Sequence, residues 1–186
     1  MKPSIIIAFG MVAFLLSARA AAEEIELTPI VPIPEFQNKA DTPAYDFNAP
    51  PQGLFLNVQL AEGYEHEMGF RQSHDVVPVR PTQQFRPDSV VYIVFSTHQH
   101  YNAFQVSGRC YPEQVDGLDP KTLVGEDAMY IALEDNSGYI QLNPPPGGWK
   151  PGKYKVEMHI GFQVNEISLV GTMRFAVQPA ADSAAN

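Results

Sequence analysis

A period of two runs through most of this chain, and no segment carries a long apolar stripe at three- and four-residue spacing. Leu54, Leu56, Val58 and Leu60 alternate with Phe55, Asn57 and Gln59, which predicts a strand with its leucine face turned inward. Tyr154, Val156, Met158 and Ile160 repeat the pattern, as do Met173, Phe175 and Val177. Residues 90–95 (VVYIVF) are short, apolar and β-branched, as a central buried strand requires. Phe104, Val106 and Cys110 begin a further strand, and residues 129–133 and 139–142 flank Glu134-Asp135-Asn136-Ser137-Gly138, a run with turn chemistry. Prolines in residues 78–85 suit an edge position, and residues 115–127 have room for one helical turn. Glycine and proline punctuate the chain roughly every ten residues, as they do in antiparallel sandwiches. The expected fold is therefore all-β, an antiparallel β-sandwich.

The N-terminus reads differently. Met1-Lys2 is followed by an apolar run over residues 5–16, and small residues then surround Arg19. That order is the order of a secretory signal peptide, and the run falls short of the roughly 20 residues a membrane span needs. Cleavage near Ala20 or Ala22 is expected, with a periplasmic or secreted destination and no membrane insertion of the mature chain. Losing Lys2 and Arg19 leaves ten Lys and Arg against 21 Asp and Glu, a net charge of about −11. Such a surface repels phosphate backbones and anionic lipid headgroups, which argues against nucleic acid and membrane-surface partners. Residues 23–52 contain Pro29, Pro32, Pro34, Pro43, Pro50 and Pro51 without a sustained period, and are expected to form an extended arm that tethers or covers an edge. The sandwich is expected over residues 53–178, and the small polar residues 179–186 are expected to fray. Cys110 is the single cysteine, so no intramolecular disulfide forms, and its place in a strand predicts a buried thiol.

Two segments together carry a resemblance. Phe85, Pro87 and Asp88 lead into Val91-Tyr92, and Trp149-Lys150-Pro151-Gly152-Lys153-Tyr154-Lys155-Val156 leads to Phe175-Ala176-Val177. This resembles the immunoglobulin-like β-sandwich domains of exported bacterial proteins over residues 54–178. In those domains a W-x-x-G-x-Y-x-V element opens the penultimate strand and F-x-V closes the last. The resemblance implies a fold and no activity, since such sandwiches host many functions. The disulfide usual in the family is missing here.

No nucleophile elbow, phosphate-cradling loop, His-Glu-x-x-His helix or Cys-x-x-Cys pair occurs, so the chain reads as non-catalytic. The first expectation is an extracytoplasmic binding or scaffolding module that engages another protein through an edge strand or through loops at one sandwich end. The second is a copper-type metal site built from His66, Met68, His98 and His100, joined by Tyr101 and Met129 if the fold allows, because imidazole and thioether suit copper. The simpler account of those histidines is solvent-facing loop residues. The third is a carbohydrate or small-molecule site using Trp149 and nearby tyrosines, against which core packing of Trp149 and Tyr154 is the plainer reading. Phe47, Leu54, Phe55, Tyr64, Phe70 and Phe162 are candidates for an exposed patch or an edge cover, and residues 160–169 fit a hairpin tip.

Overall fold

The computed structural model describes residues 44–68 and 74–179. The predicted signal peptide, most of the arm, Phe70 and all but the first residue of the predicted tail lie outside them. Nine strands follow in order: β1 (Phe55–Met68), β2 (His74–Pro81), β3 (Gln84–Phe85), β4 (Val91–Thr97), β5 (Phe104–Val115), β6 (Gly125–Ile131), β7 (Ser137–Leu142), β8 (Gly152–Ile160) and β9 (Leu169–Val177). They form a four-stranded sheet, β2-β1-β4-β7, and a five-stranded sheet, β3-β9-β8-β5-β6. Every pairing is antiparallel except that of β3 with β9. The all-β sandwich read from the alternation is the fold observed. Residues 115–127 hold no helical turn; Leu118 N–H donates to Val115 O and Thr122 N–H to Asp119 O, and β6 then begins.

The core lies between the sheets. Val91, Ile93 and Phe95 of β4 face Val106 and Cys110 of β5 and Val156 and Met158 of β8 as one buried cluster. Burial pushes the Cys110 thiol far above its ordinary range, which leaves it inert at neutral pH. The start of β1 departs from the alternation. A register shift between Phe55 and Asn57 inserts a bulge into β1, so Phe55 enters the core and Leu56 is 61% exposed. A bulge moves later side chains to the opposite face, which simple alternation cannot foresee.

Past Ala61, β1 departs from β4. Its second half pairs with β2, and this hairpin folds back over the outer face of β4 and β7. Ala61, Val76 and Val94 are buried there beneath Tyr64, Tyr92 and Tyr139. Val76 N–H donates to Ser137 Oγ at 2.8 Å, and the Tyr64 and Tyr139 rings stack with centroids 3.8 Å apart. The hydroxyl contact with Tyr64, aided by burial, pushes the Tyr139 phenol up to about 12.

Part of each flank of the sandwich is covered. On one, residues 44–51 lie along the first half of β9: Thr172 N–H donates to Ala49 O at 2.8 Å, and Thr172 Oγ1 donates to Phe47 O. A Cβ at Gly171 would stand 2.6 Å from Pro51 N, so glycine is what lets this segment approach. The last residues of the proline-rich arm thus pack against the sandwich. On the other flank, two side chains of β6 cap the outward N–H groups of β7. Asp127 Oδ2 accepts from Gln141 N–H at 2.8 Å, and Met129 Sδ accepts from Tyr139 N–H at 3.3 Å.

Candidate functional site: the apolar loop end

The two ends of the sandwich differ. At one end, the turn before β8 is plugged by Trp149, which is 1% exposed. Its Nε1 donates to Ser89 O at 2.9 Å and its ring meets Tyr154 and Phe175 edge-on. Trp149 and Tyr154 are thus core residues. A ligand platform built on them is excluded, because a buried ring offers no face to stack on.

At the other end, the β4–β5, β6–β7 and β8–β9 loops come together, since β4, β6 and β8 all run toward it. Tyr101 is 81% exposed, Phe162 68% and Ile167 95%, with Leu133, Val164 and Tyr130 also exposed. Of the patch read from sequence, Phe162 belongs here. Phe55 is buried, Leu54 and Tyr64 are half-buried, and Phe47 lies on the segment along β9. The loop residues 98–103, 132–136 and 161–168 contain no Lys or Arg, while Glu134, Asp135 and Glu166 stand among the apolar tips.

These tips are held in place. His100 sits between the first two loops, with Nδ1 3.0 Å from Asn102 O, Nε2 2.7 Å from Asp135 O and its ring edge-on to Phe104. Asp135 Oδ2 accepts from Ala132 N–H. In the third loop, Asn165 Oδ1 accepts from the N–H groups of Ile167 and Ser168, and Ser168 Oγ accepts from Asn165 N–H. This closed turn thrusts Ile167 outward, so little ordering is left to be done on contact with a partner.

The metal reading is not supported by this arrangement. No group of three or more His, Cys, Asp or Glu that could hold a metal exists among the described residues. His66 lies on the folded-back hairpin with its ring against Tyr64, and His98 is an exposed loop residue. Both ring nitrogens of His100 already face carbonyl oxygens, and Met129 Sδ is taken by Tyr139 N–H. The Met68 side chain lies outside the described atoms. Histidines two apart share a face only in an extended strand, and residues 98–100 have already left β4.

His159 anchors the third loop from below. It is 5% exposed, and its Nδ1 lies 3.0 Å from Ser168 Oγ. Burial holds its pKa below the ordinary value; Glu157 opposes the shift, and Arg109 adds to it. The unfolded chain therefore takes up a proton first as pH falls. Stability should be full above about pH 7 and decline below about pH 6.5. Thermal melts across that range should show the decline, and His159→Gln should flatten it.

No protein-family model matches the chain, and no curated protein sequence does either. Among solved structures it is similar to a β-D-glucoside glucohydrolase from Trichoderma reesei, at 15% identity and a TM-score of 0.35. That likeness covers 69% of this chain and 19% of the glucohydrolase, so the chain spans about a fifth of that protein's length.

Proposed function

We propose that this protein is a non-catalytic, extracytoplasmic binding module of immunoglobulin-like type, which docks another protein on its apolar loop end. The observation that carries this reading is the exposure of Ile167, Tyr101 and Phe162 on one rigid end, while the opposite end buries its large apolar groups. Soluble chains rarely leave such a group uncovered without a use for it. Glu134, Asp135 and Glu166 lie in the same loops as the tips, so the partner carries an apolar surface with basic groups beside it. The immunoglobulin-like part of the reading is supported by the path of β3, which leaves the first sheet to lie parallel to the last strand. The acidic balance and the N-terminal pattern support the extracytoplasmic part.

A photo-crosslinking residue at position 167, compared with one at position 150, tests the docking in producing cells. Position 167 should yield one recurrent product whose linked surface is apolar and flanked by Lys or Arg, and position 150 should not yield it. The same products from both positions would overturn the reading, as would none from position 167. Ile167→Asp combined with Phe162→Ser should weaken binding of that partner by about a hundredfold, the loss of two central anchors. The melting temperature should barely move, since exposed positions change stability by about 0.5 kcal/mol or less.

A further inference from the structure

A second feature lies on the outer face of the five-stranded sheet and shares Phe162 and Val164 with the loop end. The register sets Gln105, Ser107 and Arg109 of β5 directly opposite Tyr130, Ala128 and Glu126 of β6. Ser107 and Ala128, the two smallest of these six, face each other and leave a gap between the longer side chains. The β8–β9 loop is pinned by the Gly161 N–H bond to Gln105 O and brings Val164 to this gap. The result is a cleft of about 250 Å³ lined by Gln105, Ser107, Arg109, Glu126, Ala128 and Val164, with Asp127 at its margin.

Two polar atoms on this face of the sheet are buried without a hydrogen-bond partner: Arg109 Nε and His159 Nε2. Arg109 lines the cleft, and His159 stands directly opposite Ser107 on β8. The nearest carboxylate oxygen to Arg109 Nε belongs to Glu126, at 3.6 Å, too far for a hydrogen bond. His159 Nδ1 lies 3.0 Å from Ser168 Oγ, and its Nε2 meets no partner. Unmet buried groups are uncommon, and here two lie on neighbouring strands. Tyr130 stands opposite Gln105 of the cleft wall, and its exposed ring lies near that of Phe162, with centroids 6.3 Å apart and planes 30° apart.

We infer that this cleft binds a small neutral polyhydroxylated ligand, a single sugar ring, over the Tyr130 and Phe162 faces. The walls decide the class. Glu126 and Asp127 disfavour an anion, Arg109 disfavours a cation, and an apolar ligand would leave the polar walls unpaired. Sugar hydroxyls both donate and accept, so they match walls that offer Arg109 as a donor, Glu126 as an acceptor and Gln105 and Ser107 as either. The C–H face of the ring stacks on the aromatic pair. The cleft is smaller than the roughly 300–1,000 Å³ of drug-sized sites, which limits it to one ring.

Titration of the isotopically labelled protein with methyl glucoside, methyl galactoside and N-acetylglucosamine, followed by amide chemical shifts, tests the assignment. At least one sugar should give saturable shifts centred on Ser107, Arg109, Ala128 and Tyr130. Tyr130→Ala, at an exposed position, should weaken that response about tenfold, and Arg109→Met should abolish it. Ile167→Asp, which removes a docking tip, should leave it intact, so this site and the docking end fail separately. Absence of saturation with all three sugars would overturn the inference. So would stronger saturation by acetate, which would mark an anion site, or shifts that survive both cleft variants.

Discussion

Trp149→Ala is expected to lower stability by about 4 kcal/mol, a fall in melting temperature of roughly 15 °C. Trp149 is among the largest fully buried side chains, and its removal opens a hole bounded by Tyr154, Phe175 and the β3–β4 turn. The indole also ties that turn to β8: Nε1 donates to Ser89 O at 2.9 Å and the backbone N–H donates to Pro87 O at 2.8 Å. Alanine keeps the second bond and loses the first, which leaves Ser89 O short of a partner. Trp149→Phe separates the two effects, since it fills most of the space and restores no donor. Its expected cost is about 1–2 kcal/mol. Denaturant melts of both variants check this, and near-equal stability of Trp149→Ala and the parent would contradict the plug.

Gly152→Ala is expected to cost about 3 kcal/mol or more, although it adds a single methyl group. At Gly152 φ is 145°, and a Cβ there would stand 2.4 Å from Gln114 O and 2.9 Å from Val115 Cγ2. Main chain cannot yield as a flexible side chain can. Gly152 opens β8 opposite the shifted register of β5 at Pro112 and Gln114, so relief would require both strands to part. Gly53→Ala is the control: nothing lies within 4 Å of its would-be Cβ, and only its φ of 75° counts against alanine. Gly53→Ala should cost about 1–2 kcal/mol, less than Gly152→Ala. Comparable losses in both would mean that backbone conformation, and not the close approach, sets the penalty.

The architecture was legible because a strand buried on both sides and a strand buried on one leave different marks. Residues 90–95 announced β4, and the alternation from Tyr154 onward announced β8. The inward side of Leu56 was not legible, since the bulge that reverses it depends on pairing with β4. Nor was the folded-back hairpin, because Val94 reads alike whether it is covered by a second sheet or by a hairpin. The loop end was half visible. The Asn165 to Ser168 turn can be anticipated from its residue types, but nothing in sequence separates exposed Ile167 from half-buried Leu169 two positions later. The outer-face cleft could not be found from sequence, because it depends on which residues of β5 and β6 stand opposite one another.

The partial cover of the flanks bears on how this molecule meets others. Main-chain laddering with a second polypeptide requires a run of free backbone donors. On one side Ala49 already takes the Thr172 N–H, and on the other Asp127 and Met129 take those of Gln141 and Tyr139. At those positions an incoming strand would first have to displace these contacts. The loop end offers side-chain shape and a carboxylate border, so complex lifetime there should respond to ionic strength and to the contour of the other surface. The same contacts disfavour edge-to-edge pairing between copies at those positions.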